Sequence, residues 1–276
     1  AYFAYGCLYP RCTGIWQTVW LEFVPKTYIK SLKMTPDIDR ECVDIQVDLA
    51  GDCDLGEITA LVSFKGTSVS SAKCKVNGDR ALMSISVPSP QLWDIGQPNL
   101  YDIIFTAGED AVVSYFGMRK ISVEKNLIKL NNRTIFLRFI LDQGYYPDGI
   151  YTAPDDEALR HDIELSMKAG FNGARMHMKA FEPRFIYHAD HMGYLLHGEY
   201  GNWGLDIRRP ESLLSILPDW LEELKRDYNS PAIITWCPFN ETDSSRIPEI
   251  QETIYKITKM YDASRPVIDV SGYVHT

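Results

Sequence analysis

An amide and a carboxylate end the segment PAIITWCPFNE, which begins at Pro231 and finishes with Asn240 and Glu241. The β-branched and aromatic residues before them are typical of a strand buried on both faces, which would carry the two polar side chains at its tip. A carboxylic acid partly removed from water keeps its proton near neutral pH and can deliver it to a leaving-group oxygen. An amide can both donate to and accept from a hydroxyl group. At this position Glu241 would be able to act as a general acid and Asn240 to bind a substrate hydroxyl; the alternative is that both are solvated surface residues.

Polar and ionisable residues also follow the other strands that are predicted in this half of the chain. The predicted strands are TIFLRFILDQG, NGARMHM, YLLHGEY, AIITWCPFNE and PVIDVSG, and segments of helical periodicity separate them. In one such helix, PESLLSILPDWLEELKRDY, Pro218 is expected to break the helix in two. The alternation indicates a parallel sheet with crossover helices, whose strands have their carboxyl ends at one edge. The residues expected at that edge are Asp142, Gln143, Arg175, His177, Glu199, Asn202, Trp203, Asn240, Glu241, Asp269 and Ser271.

Strand alternation alone fits either a (β/α)₈ (TIM) barrel or an open doubly wound sheet. Neither GxGxxG nor GxxxxGK[ST] follows a predicted strand, which argues against an open sheet that binds nucleotides. Five consecutive polar strand ends favour the barrel, because the active sites of such barrels lie at that rim. The sequence therefore predicts a barrel with its site at the carboxyl ends of the strands.

Aromatic residues near the strand ends are expected to wall the carboxylate of Glu241. These are Trp236, Tyr200 and Trp203, and their rings would raise the pKa of Glu241 by excluding water. Exposed indole rings also pack against the apolar CH faces of sugar rings.

Two basic residues, Arg175 and His177, share one side of their predicted strand. They would either grip substrate and orient the acid or form a salt-bridged rim. Glu199 would either bind substrate or pair with Arg175. The residues alone leave these alternatives open.

Residues 28–123 show the period of two that is typical of half-buried strands. In CVDIQVDLAGD, EITALVSFKG and ALMSISVP, apolar residues alternate with polar ones, and Gly, Asn and Pro separate the segments. About 100 residues of this kind predict an antiparallel sandwich of immunoglobulin-like size. Because no residue pattern in it suggests catalysis, we interpret it as a spacer.

Composition limits the classes of function. The chain has 276 residues, of which 45% are hydrophobic, and a formal charge of -9. The length favours two domains, the charge argues against a nucleic-acid partner, and the lack of a long apolar run argues against a membrane span. The six cysteines form no CxxC pair and no His cluster accompanies them at zinc-ligand spacing, so we expect free thiols. No metal site and no cofactor are predicted, and a metal requirement stays open. Free thiols favour the cytoplasm, and because no signal peptide is visible, a periplasmic or secreted location stays open only if a signal was removed upstream.

Several motifs together resemble glycoside hydrolase family 2, the family of β-galactosidases, β-glucuronidases and β-mannosidases. DYNSPAIITWCPFNE resembles its acid/base signature, and LWDIGQPNLYDI and YFGMRK resemble motifs of its immunoglobulin-like domain. TGIWQTVWLE resembles the last strand of its jelly-roll domain, and residues 141–179 resemble its first barrel units. The resemblance implies a jelly-roll remnant over 1–25, an immunoglobulin-like sandwich over 26–123 and an incomplete barrel over 124–276.

The resemblance also implies roles for individual residues. Glu241 would be the general acid/base, and Asn240 would bind the sugar 2-hydroxyl. The second carboxylate of a retaining enzyme, the nucleophile, lies on a later strand in the family and is expected outside this chain. We therefore expect a retaining exo-β-glycosidase, β-galactosidase-like by default, that acts on carbohydrate; open sheet edges would permit a homo-oligomer. The alternative is a non-catalytic carbohydrate-binding or interaction protein. Further substrate-binding candidates are Arg175, His177, Glu199, Trp203 and Asp142.

Overall fold

A computed structural model describes residues 14–276 of the chain. The first seven strands form two antiparallel sheets, one with the order β1-β2-β5 and one with the order β4-β3-β6-β7. The strands are β1 (Thr27–Asp37), β2 (Cys42–Gly51), β3 (Glu57–Phe64), β4 (Thr67–Lys75), β5 (Arg80–Ser86), β6 (Leu100–Ala107) and β7 (Asp110–Gly117).

The two sheets enclose a core because each strand turns alternate residues inward. In β2, Val43, Ile45 and Val47 are buried, whereas the polar residues between them are partly exposed. These side chains pack with inward residues of the other sheet, such as Val62 and Phe105. The alternation that the sequence predicted for this half of the chain is confirmed, and the result is a sandwich-like pair of sheets.

A small antiparallel sheet joins the sandwich to the second half of the chain. It contains β8 (Ile121–Glu124), β9 (Leu127–Leu130) and β10 (Arg133–Thr134), in the order β10-β9-β8. The described part of the predicted amino-terminal remnant, residues 14–25, has neither helix nor strand, and its first 13 residues lie outside the described range.

The second half alternates parallel strands with helices. The strands β11 to β14 form a parallel sheet in that order, and β15 pairs with β16 in parallel. The elements are β11 (Phe139–Asp142), α1 (Asp156–Lys168), β12 (Gly173–Met176), α2 (Pro183–Met192), β13 (Leu195–Glu199), a 3-10 turn (Pro210–Ser212), α3 (Leu213–Asp227), β14 (Ile233–Cys237), β15 (Asn240–Thr242), α4 (Pro248–Tyr261) and β16 (Ser271–Tyr273).

Local chemistry fixes the helix ends. Asp155 caps α1 by accepting a hydrogen bond from the backbone N–H of Ala158 at 2.8 Å. Gly193 ends α2 in the left-handed region, with φ 69°. A Cβ atom there would lie 2.6 Å from the carbonyl oxygen of Asp94, so this position also lets the end of α2 approach the sandwich.

Two prolines act differently from the sequence prediction. Pro218 does not break α3, which runs unbroken through it from Leu213 to Asp227. The carbonyl that loses its donor belongs to Leu214, which is highly exposed, so that water can replace the missing hydrogen bond. Pro238, in contrast, separates β14 from β15. The fourth predicted strand is therefore two short strands.

The sandwich holds the amino end of β14 through a buried arginine. Arg119 Nε donates to the carbonyl oxygen of Pro231 at 3.0 Å, and its Nη2 donates to that of Ile233 at 2.9 Å. Trp93 Nε1 donates to the carbonyl oxygen of Asp190, at the end of α2, at 2.8 Å. Both contacts are buried, so the sandwich helps to position the strand that precedes Asn240 and Glu241. No helix in the described range is long and apolar enough to span a membrane.

Candidate functional site

The buried carboxylate of Glu199 lies at the centre of the polar residues on the parallel sheet. It is 0% exposed and receives hydrogen bonds from Arg175 through Nε and, at 3.0 Å, through Nη2. His177 Nδ1 lies 2.9 Å from its Oε1, and the backbone N–H of Met178 donates to the same oxygen at 3.1 Å. The predicted shared side of Arg175 and His177 is thus seen in the structure, and both residues contact Glu199.

The electrostatics of this cluster keep both partners charged. Burial alone would raise the pKa of Glu199, but the hydrogen bonds from His177 and Arg175 outweigh it, and the pKa lies below its ordinary value. Burial likewise would lower the pKa of Arg175, but its hydrogen bonds to Glu199 and the negative charges of Glu199 and Glu241 raise it. Arg175 is therefore a fixed cation near both carboxylates.

Arg175 also fixes the side chain of Asn240. Its Nη2 donates to Asn240 Oδ1 at 2.6 Å, and Asn240 is only 2% exposed. Because the arginine occupies the amide oxygen, the orientation of the amide is set and its NH₂ group remains available as a donor. Glu199, Arg175 and Asn240 thus form one connected chain of hydrogen bonds across β12, β13 and β15.

A second amide, that of Asn202, clamps the backbone of Asn240. Asn202 Oδ1 accepts the Asn240 N–H at 2.8 Å, and Asn202 Nδ2 donates to the Asn240 carbonyl at 3.2 Å. Trp203 Nε1 approaches the same carbonyl at 3.3 Å. Sequence reasoning placed Asn202 at the edge but did not give it a role. The available signal was an Asn-Trp pair that begins three residues after the end of β13 at Glu199.

Glu241 adopts a strained backbone beside this clamp. Its φ of 51° lies in the left-handed region, which costs a non-glycine residue on the order of 1–3 kcal/mol. Its side chain is exposed and lines a cavity of about 490 Å³ together with Asn202, Trp203 and Asp243. The strain is maintained by the fixed residue before it, Asn240.

The predicted aromatic wall around Glu241 is wrong in two of its three members. Trp236 is fully buried, and its Nε1 donates to Asp262 at 2.8 Å. The hydroxyl of Tyr200 donates to Asp219 instead. Alternation along β14 turns Trp236 toward the helices, away from the cavity. Of the three predicted rings, that of Trp203 lines the cavity, at 43% exposure.

Two other predicted edge residues are not brought into the cluster. Asp142 is in register with Met176, not with Arg175, so it lies on the other face of the sheet. Its Oδ1 accepts the N–H of Gly144 at 2.8 Å, and burial raises its pKa. Asp269 accepts hydrogen bonds from the chain's last residues and from Gln251, and these outweigh burial to lower its pKa to about 2.

The cysteines in the described range are free, as the sequence predicted. They are Cys42, Cys53, Cys74 and Cys237, whereas Cys7 and Cys12 lie outside that range. One cluster in residues 14–276 has side chains suited to a metal ion, namely His197, Glu199 and Cys237.

Comparison with known proteins gives consistent similarities. Residues 27–119 match the sequence profile described as Glycosyl hydrolases family 2. The chain is 27% identical over 292 residues to a beta-galactosidase of Leuconostoc mesenteroides, covering 93% of this chain and 27% of that protein. A beta-galactosidase of Vibrio cholerae is 26% identical to the chain, and the match covers 96% of this chain and 28% of that protein. The chain thus spans about a quarter of the length of these curated relatives.

Solved structures share the fold at lower identity. A beta-glucuronidase from an uncultured Clostridium sp. superposes with a TM-score of 0.77 at 22% identity, covering 91% of this chain and 44% of that chain. A GH2 beta-galacturonidase from Eisenbergiella tayi bound to galacturonate has a TM-score of 0.75 at 22% identity, with 88% and 46% covered. The similarity therefore extends over both the sandwich and the α/β half.

Proposed function

We propose that this chain, whose resemblance to glycoside hydrolase family 2 the comparisons confirm, carries the acid/base half of a β-glycosidase active site. The observation that carries the proposal is the hydrogen-bonded chain from Glu199 through Arg175 to Asn240, which ends next to Glu241. In this proposal, residues 1–25 belong to a jelly-roll domain, 26–123 form an immunoglobulin-like domain and 124–276 are part of a (β/α)₈ barrel.

Glu241 would protonate the glycosidic oxygen of the leaving group and later remove a proton from the attacking water. Its carboxylate is exposed at the wall of a cavity, in contact with water until substrate enters. A sugar seated against Trp203 would displace that water from around the Glu241 carboxyl group and bring its glycosidic oxygen there. The substrate thus completes the environment that the acid needs.

The nucleophile would come from a later strand of the complete protein, outside this chain. A retaining enzyme needs a second carboxylate about 5–5.5 Å from the first, with a free oxygen to attack. Glu199 is unsuited to that role because both of its oxygens accept hydrogen bonds from Arg175 and His177. Its role would be to hold Arg175, and Arg175 would hold Asn240.

Asn240 would donate its amide NH₂ group to a sugar hydroxyl. Because Arg175 already occupies the amide oxygen, the amide would act as a donor in one fixed direction. The exposed face of Trp203 would pack against the sugar ring. A β-galactoside is our default substrate, and the names of the relatives make β-glucuronides and β-galacturonides the next to test.

Turnover of aryl β-galactosides, β-glucuronides and β-galacturonides by the complete gene product tests the proposal. Glu241→Gln is expected to reduce kcat/KM by about 10²–10⁴-fold on the preferred sugar, the usual contribution of a general acid. Glu249→Gln, at an exposed position in the first turn of α4, serves as the control and should leave the rate unchanged. Equal activity of Glu241→Gln and the parent would defeat the proposal, and sugar binding without turnover in the parent would favour a non-catalytic carbohydrate-binding protein.

A further inference from the structure

Three side chains with metal-binding atoms lie together on the face of the sheet that carries Arg175. Donor atoms of His197, Glu199 and Cys237 all lie within 4.8 Å of one another. His197 and Glu199 are two residues apart on β13, so they share a face, and Cys237 is the register partner of Glu199 on β14. Two paired strands, not a flexible loop, set the spacing of the three groups.

Two neighbouring polar atoms at this place lack partners. His197 Nε2 is shielded from solvent and has no hydrogen-bond partner in the described part of the chain, and the same holds for Thr235 Oγ1. His197 and Thr235 are register partners across β13 and β14. A buried polar atom without a partner costs about 1–3 kcal/mol. Two of them side by side indicate that a polar species absent from the protein chain itself satisfies them.

The thiol of Cys237 is also weakly committed. It is fully buried, and its Sγ contacts the carbonyl oxygen of Phe239 at 3.2 Å. A thiol is a weak hydrogen-bond donor, so this contact is easily given up. His197 and Cys237 therefore each have a potential ligand atom without a strong hydrogen bond, next to the carboxylate of Glu199.

We propose that His197, Glu199 and Cys237 form a binding site for a borderline-soft divalent metal ion, with Zn²⁺ the preferred ion. Thiolate and imidazole ligands select zinc over magnesium or calcium, which prefer oxygen. On binding, the Cys237 thiol releases its proton to solvent, whereas the imidazole and the ionised carboxylate bind through lone pairs. Three protein ligands leave a fourth position for a water molecule. The Thr235 hydroxyl would form a hydrogen bond with that water.

Metal binding would compete with the hydrogen bonds of Glu199. That carboxylate is held by Arg175 and His177, and Arg175 in turn holds Asn240. A metal ion that draws on Glu199 weakens this chain, so the ion is inhibitory. The nearby guanidinium charge also opposes the ion, which makes the site weaker than a closed structural zinc site. The inhibition rests on the proposed function, whereas the metal site itself does not.

Cobalt(II) spectroscopy tests the site directly. The starting protein is the full chain with Cys→Ser changes at 7, 12, 42, 53 and 74, which leaves Cys237 as its single thiol. Adding Co²⁺ is expected to give a thiolate-to-cobalt band in the near ultraviolet and tetrahedral bands in the visible, and Zn²⁺ should remove them. Adding Cys237→Ser to this background should abolish the near-ultraviolet band. His197→Gln should lower the Co²⁺ affinity by about tenfold or more.

Circular dichroism verifies that each variant is folded, so that a lost band reports lost ligation. Absence of the band in the parent background, or its persistence after Cys237→Ser, overturns the proposal. Zn²⁺ titration during glycoside turnover by the complete gene product then tests the inhibition separately. A site that binds Co²⁺ as expected while Zn²⁺ leaves turnover unchanged keeps the metal site and refutes its link to catalysis.

Discussion

Replacing Arg175 by Met tests the chain of contacts from Glu199 to Asn240. The change removes two hydrogen bonds to the Glu199 carboxylate and one to Asn240. Removing one member of a buried ion pair costs about 3–5 kcal/mol, because the other charge stays buried without its partner. Glu199 is 0% exposed, but Arg175 keeps 22% side-chain exposure, and His177 and Met178 still donate to the carboxylate. We therefore expect a loss near the lower end, about 3 kcal/mol.

A double-mutant cycle isolates the pair. Glu199→Gln keeps the shape of the side chain but removes its charge, so it should cost about 1.5–3 kcal/mol, the value of a charge-assisted hydrogen bond. The double variant should then cost less than the sum of the two single variants by at least about 1.5 kcal/mol, since the uncompensated charge is gone.

Urea unfolding followed by tryptophan fluorescence measures these free energies. Arg209→Met is the matched control, because Arg209 pairs with Glu211 at 3.5 Å on the exposed surface, where ion pairs contribute little. An Arg175→Met protein within about 1 kcal/mol of the parent, or strict additivity in the cycle, would refute the reasoning.

Three further predictions concern other parts of the structure. Burial raises the pKa of Asp190 to about 7, above its unfolded value of about 3.9, so protonation stabilises the fold below about pH 4 and this contribution is lost as pH rises toward 7. From pH 4 to pH 7, the urea midpoint of the parent should therefore fall relative to that of Asp190→Asn. A difference between the two midpoints that does not depend on pH would contradict this. A Cβ at Gly198 would lie 2.6 Å from the ring of Trp236, so Gly198→Ala should lower the unfolding free energy by about 1–3 kcal/mol in the same assay. Asn202→Ala removes two hydrogen bonds to Asn240 and should lower kcat by about 10–100-fold with little change in KM; an unchanged kcat would exclude a positioning role.

Much of the fold could be predicted because burial imposes a period on the sequence. The inner face of β2 shows it clearly through Val43, Ile45 and Val47, since its other face is partly exposed. The edge strand β4 was harder to see, because its Ser- and Lys-rich sequence TSVSSAKCK has no fully buried residue. The period of a strand is visible only where one face is packed.

The site could be predicted less completely because loops decide its geometry. The meeting of Arg175 with Glu199 follows from parallel strands whose carboxyl ends share an edge. The surroundings of Glu241 do not follow, since Pro238 ends β14 and the strand alternation that contains Trp236 does not continue into β15. The Asn202 clamp depends on the path of the loop after β13, for which the sequence has no periodic signal.

The dependence of hydrolysis on the leaving group tests the central claim, that Glu241 is the proton donor, most directly. In the complete gene product, Glu241→Ala should slow hydrolysis of a substrate with a poorly acidic phenol by about 10²–10⁴-fold, because that leaving group needs a proton. Release of 2,4-dinitrophenolate from the same sugar should be nearly unchanged in its first step, because this leaving group departs without one. An equal loss for both substrates, or no loss for either, would contradict the account.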